Sequence, residues 1–593
     1  MLCYPAAGDF SIVRAELGSG MTTTASNRDQ FSFRANSLTA VVTFAASSHR
    51  RAAAVLLVAA LLAFLPGFFQ IPPTDRDESR FAQATKQMLE TGEFVDIRFQ
   101  DEVRYKKPVG IYWLQAAVVK TAGALGVPNA RTTIWLYRIP SLIGALGAVL
   151  LTYWTALSFV SRRAALLAGL MMATSILLGV EARLAKTDAM LLLTAVAAMG
   201  AMARIYLGER RHATGLAGWT LPAIFWTALA AGILIKGPLI VMFVALTVLA
   251  LAATDRSVRW LGGLRPVAGV LWLCLLALPW FLAIVSRSGS NFFAESVGHD
   301  LISKVVSVQE AHGAPPGTYF ALFWVTFWPG ATLAAMAFPG VWVARREKGA
   351  KFLLCWIVPA WIVLELVVTK LPHYVLPLYP AIAILISGVV DPHVLSRNRW
   401  LTRGSWWWFV LPTLLGIGTI VVLVTYGRQL GLPAWPFVAA AMIFGLWAWW
   451  LFQADGAEHS LLRAMAASWL LAVAIYAVII PSLSTAFPSA ALARIVSEAN
   501  CKPAMVATAG YQEPSLVFLV GTGLAMVDGA DAAEFLRPGG CRFALVEARH
   551  ERAFLRRADA IGLRYAAPQR FDGYNYSVGR AVSISVYRSE AAP

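Results

Sequence analysis

Apolar runs of about 20 residues recur along most of this chain, and nothing else in the sequence limits its fold so tightly. A helix needs roughly that length to cross the hydrocarbon core of a bilayer, where backbone polar groups must bond within their own segment. Candidate spans fall at 52–70, 138–160, 164–181, 188–207, 217–235, 237–254, 267–285, 318–343, 351–369, 374–390, 406–425, 434–452 and 462–480. Composition agrees: 58% of the 593 residues are hydrophobic and 14% charged, against roughly 25% charged in a soluble domain. The expected fold class is therefore an all-α polytopic membrane protein with about 13 transmembrane helices.

Lysine and arginine in short loops set the orientation. With HRR at 49–51 cytoplasmic, an odd-even walk through the spans puts SRR (161–163), GERRH (208–212), DRSVRW (255–260), ARREK (344–348) and SRNRW (396–400) on the same side. The walk holds only if GIYWLQAAVVKTAGAL (110–125) lies in the outer interface instead of crossing. The formal charge of +17 is then largely a topology signal, and no nucleic-acid partner is expected. An N-terminus in the cytoplasm and a C-terminus outside follow.

Residues 1–48 are polar, lack the apolar core of a signal peptide, and are expected to be disordered. Residues 49–481 form the transmembrane domain, with long outer loops at 71–137 and 286–317. From 482 to 593 the composition turns soluble: AMVATAG, RFALVEA and AVSISVY read as strands, AALARIVSEA and ARHERAFLRRADAIG as helices, so a small α/β domain is expected. Cys501 and Cys541 lie in it, either disulfide-bonded in an oxidising compartment or buried as free thiols. No CxxC or HExxH spacing occurs, and no metal ligand is assigned.

The outer loops carry the chemistry. TDRDESRF (74–81) places Asp75, Arg76, Asp77, Glu78 and Arg80 directly after the first span. The following ESRFAQATKQMLETGEF puts Phe81, Ala84 or Thr85, and Met88 on one face of an amphipathic helix that stops at Gly92. Acids at a helix N-terminus are commonly plain dipole partners, yet a capping role needs only one. Arg104, Lys106 and Lys107 in RYKKPVGIYW, Lys186 and Asp188 in EARLAKTDAM, Lys236 in ILIKGPL, and Lys370 and His373 in KLPHYVLPLYP all stand at outer membrane edges. Interfacial lysines can simply snorkel, and Asp188 can simply open its helix. Four separate loops with cations at one boundary nevertheless suggest an anionic, membrane-embedded target, best met by a lipid phosphate.

A carboxylate among several cations suits one reaction class. A sugar on a polyprenyl phosphate carries its own leaving group, so the site needs cations for the developing phosphate charge and one carboxylate to take the proton of the attacking hydroxyl. This differs from the paired carboxyls of glycosidases.

Asp77-Glu78-Ser79-Arg80-Phe81, followed by Tyr105-Lys106-Lys107-Pro108 and Tyr112-Trp113, resembles the DE(T/A)RY…YxEKP…YW signature of the aminoarabinose lipid A transferase-like family. KLPHYVLPLYP resembles its KLPxYxLPxxP loop, and Lys186-Thr187-Asp188 its xxD loop. That family lies within the type C glycosyltransferases, with the protein O-mannosyltransferases. The resemblance, over roughly residues 50–480, implies the type C glycosyltransferase fold, an outer active site, a polyprenyl-phosphate-sugar donor and inversion at the anomeric carbon. It places Asp77 at the catalytic acid position, Glu78 at its acidic neighbour and Lys107 at the phosphate-binding lysine. Lys106 stands where the family has Glu, so a metal ion held by that Glu is not carried over; no cofactor is assigned, with a divalent cation left open.

The expected function is transfer of a sugar from a polyprenyl phosphate to an acceptor hydroxyl or phosphate on the periplasmic face of a bacterial inner membrane, with lipid A or another envelope glycolipid favoured. Asp77 and Glu78 are the catalytic candidates. Arg80, Tyr105, Lys106, Lys107, Lys186, Asp188, Lys370, His373 and Tyr374 are candidates for the donor phosphate and lipid. A protein O-glycosyltransferase using the same donor is the alternative within the class. A polyprenyl-phosphate-sugar flippase is the alternative outside it, although transporters are expected to carry repeats and mid-span charges. A scaffold presenting the C-terminal domain leaves the charged motifs unexplained.

Overall fold

A computed structural model of the protein describes residues 32–208, 215–289, 291–296 and 313–589, apart from 393, 397, 428, 429, 500 and 502. Most of the second long loop, 286–317, therefore lies outside the described residues, as does 1–31. The remainder is a helical bundle carrying a small mixed α/β unit at one end.

Among the described residues, eight helices are long and apolar enough to cross a membrane, or up to nine if a bent pair counts as one span. The protein is thus a multi-pass membrane protein. The bent pair corrects the expected single span at 318–343: Thr318–Thr326 and Ala331–Arg346 meet at 116°. Trp328-Pro329-Gly330 lies at the break, where proline removes a backbone donor and crowds the preceding turn. The expected span at 164–181 is likewise divided into Arg162–Thr174 and Ile176–Glu181, with Ser175 in extended geometry between them. His49–Phe64, Thr220–Lys236 and Leu239–Asp255, of 16, 17 and 17 residues, occupy three more of the expected spans at less than full length. Gly110–Ala124, expected to lie in the interface, is a helix of 15 residues, short of the about 20 that a crossing takes.

The expected disordered tail is corrected over its last part, since Ser32–Ala46 is a helix. Its LTAVVTFAA stretch is apolar enough to bury Val42 and Ala45 in the main core, and Thr39 bonds His459 at 2.9 Å.

Two short strands, β1 (Arg98–Phe99) and β2 (Glu102–Val103), form a hairpin in the loop after the helix Asp77–Thr91. The C-terminal unit holds β3 (Met505–Ala509), β4 (Ala525–Val527), β5 (Arg542–Glu547), β6 (Gln569–Asn575) and β7 (Arg580–Arg588) in the order β4-β3-β5-β7-β6. β3 runs parallel to β4 and β5, whereas β7 is antiparallel to β5 and β6. The three strands and two helices read from the sequence are all present; β4 and β6, too short or too polar for an apolar pattern, were not among them. Cys501 and Cys541 form a disulfide, which resolves the alternative left open above.

The C-terminal unit rests on the helix Asp77–Thr91. Lys86 Nζ donates to the Phe518 carbonyl at 2.8 Å, Gln83 Nε2 to Thr522 Oγ1 at 2.8 Å, and Gln100 Nε2 to the carbonyls of Thr522 and Leu524 at 3.0 and 2.8 Å. Tyr137 and Phe518 meet edge to face. The expected amphipathic helix accordingly buries more than its apolar stripe: Gln83, Thr85, Lys86 and Gln87 are buried with Phe81, Ala84 and Met88. Its apolar face joins Tyr105, Tyr112 and Trp280 in one cluster; of its buried polar residues, Gln83 and Lys86 meet the last domain, while Thr85 bonds Gln115 and Gln87 bonds Gln100.

Candidate active site

The turn that leaves the first apolar helix enters Asp77–Thr91 with Asp77 and Glu78 in its first turn, where the helix dipole favours carboxylates. Successive helical residues point about 100° apart, and these two have opposite surroundings. Asp77 is exposed. Glu78 is 1% exposed and every carboxylate oxygen is engaged. Its Oε1 accepts from Arg138 Nε at 2.7 Å and the Ala185 N–H at 2.9 Å; its Oε2 accepts from Arg138 Nη2 at 3.0 Å and from the Thr74 N–H and hydroxyl at 2.9 and 2.7 Å. Burial opposes its charge, yet the Arg138 guanidinium and these donors hold the carboxyl below its usual range. Arg138 also donates to the carbonyls of Phe68, Ile71 and Pro72. The pair fastens the turn that carries Asp77 and engages both oxygens of Glu78.

The Ala185 N–H brings the next loop against this turn. In it, Lys186 lies 3.2 Å from Glu181 and 3.8 Å from Asp188, and Lys236 is ion-paired with Asp188. His373 reaches both carboxylates, Nδ1 to Glu181 and Nε2 to Asp188, each at 3.6 Å. Burial disfavours the Lys186 ammonium, but Glu181, Asp188 and, more distantly, Asp77 raise its pKa overall, so the exposed Asp77 carboxylate is within electrostatic reach of Lys186. Tyr374 packs edge-on to His373, with Lys236 Nζ 5.3 Å from its ring centre. Glu181, Asp188 and His373 offer ligand atoms within 4.8 Å of one another. Two ammonium groups, Lys186 and Lys236, already stand beside these two carboxylates.

The Tyr105-Lys106-Lys107-Pro108 loop adjoins the same place. A Cβ on Gly110 would come within 2.7 Å of the Leu234 carbonyl, and one on Gly237 would touch Pro108, so this loop abuts the segment ending in Lys236. Lys106, Lys107 and Arg80 are half-buried there. Tyr105 instead faces inward: 4% exposed, it donates to Asp96 Oδ1 at 2.7 Å and meets Phe292 edge to face. Burial pushes its hydroxyl up to about 12, which suits a support for the loop. Lys370 Nζ donates to the carbonyls of Ala314 and Val367 at 3.0 and 2.6 Å, which among the described residues leaves one of its three donor positions.

Asp75 looks the other way, into the C-terminal domain. Its Oδ1 accepts from the Ser515 N–H at 2.8 Å and its Oδ2 from the Ser515 hydroxyl at 2.6 Å, while its own N–H donates to the Tyr576 hydroxyl at 2.6 Å. Burial, only partly offset by Ser515, pushes its carboxyl up to about 7. Arg76 Nη2 adds a bond to the Ser577 carbonyl at 2.8 Å.

Arg138 and Glu181 were missed among the candidates from sequence. Arg138 stands alone in the apolar run IWLYRIP and Glu181 shares GVEARL with Arg183; the rarity of ionisable residues at a span was the available signal.

The family described as dolichyl-phosphate-mannose-protein mannosyltransferase matches residues 74–288. Curated relatives are named undecaprenyl phosphate-alpha-4-amino-4-deoxy-L-arabinose arabinosyl transferase. That of Pectobacterium carotovorum subsp. carotovorum is 28% identical over 60% of this chain and 61% of its own length. That of Edwardsiella ictaluri is 27% identical over 67% and 70%. The chain thus spans about three fifths of the length of the first of these. Crystal structures of ArnT from Cupriavidus metallidurans, in the apo state and bound to undecaprenyl phosphate, superimpose with TM-scores of 0.70 and 0.67 at 18% identity, each covering 91% of this chain and 99% of the other. At that identity the likeness is one of fold, and the expected type C glycosyltransferase architecture is borne out. The motif resemblance to aminoarabinose transferases agrees with the names of the relatives.

Proposed function

We propose that this chain, which resembles the aminoarabinose lipid A transferase-like and protein O-mannosyltransferase-like glycosyltransferases in sequence and fold, moves a sugar from a polyprenyl phosphate to lipid A or a related envelope glycolipid. The observation that carries the reading is one exposed carboxylate, Asp77, on a turn locked by the buried Glu78–Arg138 pair beside a loop cluster rich in cations. Asp77 takes the proton of the acceptor hydroxyl as that oxygen attacks the anomeric carbon. The bond to the phosphate oxygen breaks, and Lys107, Arg80, Lys106 and the free donor of Lys370 hold the departing phosphate. Lys186, Asp188, His373 and Tyr374 form the polar floor that orients the sugar. Tyr105 and Glu78 keep the flanking loops in place without meeting substrate.

The donor class is supported by the relatives' names and by an ArnT fold that binds undecaprenyl phosphate. Placement in a bacterial inner membrane, with the N-terminus cytoplasmic and residues 482–593 periplasmic, is supported by the basic loops and by the Cys501–Cys541 disulfide, since such bonds persist in oxidising compartments. The match over residues 74–288 to protein mannosyltransferases favours a protein hydroxyl as the second reading of the acceptor.

The test uses the full chain in proteoliposomes with a labelled polyprenyl-phosphate pentose and either lipid A or envelope peptides. Label on lipid A is expected, and Asp77→Asn is expected to lower turnover by about 10²-fold or more while the protein remains folded. Label on peptide alone moves the acceptor to protein. Wild-type turnover in the Asn variant removes Asp77 from the mechanism.

A further inference from the structure

The C-terminal domain holds no catalytic constellation of its own, yet it touches the Asp77 turn directly. Asp75 stands two residues before Asp77, and its carboxylate is gripped at both oxygens by Ser515, the second residue of the helix Pro514–Val520. Ser515 is itself fully buried and tied into its own domain, with its hydroxyl 2.6 Å from Ser489 Oγ, which in turn lies 2.9 Å from the Tyr511 hydroxyl. The Tyr576 hydroxyl accepts from the Asp75 N–H, and the Ser577 carbonyl accepts from Arg76. Both come from the connection between β6 and β7, which Asn575 braces by donating to Glu513 at 2.8 Å.

The turn from Thr74 to Ser79 is therefore fixed from two sides. From the bundle, Arg138 and the Ala185 N–H hold Glu78; from the last domain, Ser515 and Tyr576 hold Asp75. Asp77 lies between these anchors and has the exposed side. Two anchors flanking a reactive group leave its backbone little freedom, and reaction rates fall steeply when a reacting group is displaced by even about 1 Å.

We infer that the C-terminal domain is a working part of the transfer site, with Ser515 a positioning residue that sets the location of Asp77 through Asp75. The inference rests on the transferase reading for its consequence but not for its contact. A solvated carboxylate at 75 would serve equally well for capping or charge balance; one gripped twice by a buried serine 440 residues away ties two distant parts of the chain to one turn.

The experiment compares wild type, Ser515→Ala, Ser515→Thr and Tyr576→Phe in the full chain. The last removes a hydroxyl from a side chain that is 41% exposed, so folding does not hinge on it. Two readouts are taken. Hydrogen exchange of the amides in 74–81 is expected to quicken in Ser515→Ala and Tyr576→Phe, while amides in the transmembrane helices keep their wild-type protection. Turnover of the polyprenyl-phosphate pentose is expected to show kcat lowered about tenfold to a hundredfold with KM for the donor unchanged, and Ser515→Thr is expected to recover most of it. Unaltered exchange at 74–81 in both variants, or wild-type kcat in Ser515→Ala, overturns the inference. If wild type transfers no sugar while exchange at 74–81 responds as expected, the transferase reading fails and the domain contact stands.

Discussion

Asp77 and Glu78 are adjacent carboxylates in unlike surroundings, the first exposed and the second buried. Glu78 and Arg138 are each 1% exposed and joined by two hydrogen bonds. Two such charges gain little over a well-packed apolar pair, but removing one strands the other in a low-dielectric interior at a cost of about 3–5 kcal/mol. Arg138→Met is therefore expected to lower the thermal midpoint and the folded yield of the purified protein, with Glu78→Gln added in the same chain restoring part of the loss. A midpoint equal to wild type in Arg138→Met contradicts a fastening role. From the sequence alone these two acids could be ranked only by motif position, because burial is a tertiary property that neighbouring letters do not carry. Asp75 illustrates the same limit: its partner Ser515 lies in an ordinary GYQEPSL stretch with no signal of its own.

Helices here were legible where an apolar period ran unbroken, as in Leu239–Asp255, and less so where proline, glycine or a serine breaks the helix, as at 175 and 328–330. The helix Asp77–Thr91 was legible in extent, ending at Gly92 with φ 74°, where glycine adopts the left-handed region without penalty. The burial of Gln83 and Lys86 on its polar side was not, because their partners Thr522 and Phe518 lie more than 400 residues further along. Close helix contacts position the site as well. Gly144 of Ile134–Ala156 lets the backbone of Ala189 and Met190 approach so closely that an added Cβ would fall 2.8 Å from it, next to Asp188. Gly144→Leu is expected to cost about 1–3 kcal/mol by overpacking and to reduce turnover by displacing Asp188 from Lys236. Thermal unfolding in detergent, read beside the transfer assay, checks both. Unchanged stability means that the two helices separate without strain.

On the scale of the whole molecule, a membrane bundle and a five-stranded α/β unit meet at the turn that precedes Asp77. The composition change after Pro481 announced the second unit and its main strands, but no local pattern revealed its attachment to the first long loop. Its disulfide joins residues separated by 40 positions, and closing a loop of that size is worth about 2–4 kcal/mol in a domain this small. Replacing both Cys501 and Cys541 by Ser is expected to make residues 482–589 more sensitive to limited proteolysis, and through the Asp75 contact to slow transfer. Equal protease resistance in the double variant shows that the bond is dispensable.

The grip of Ser515 on Asp75 has a temporal side as well. The first long loop leaves the ribosome early, yet its turn cannot acquire its final shape until residues 505–588 have been synthesised and folded. Nascent chains and prematurely terminated products would lie in the bilayer with every loop of the bundle present and the turn held on one side only, so activity would arrive at the end of biogenesis in a single step.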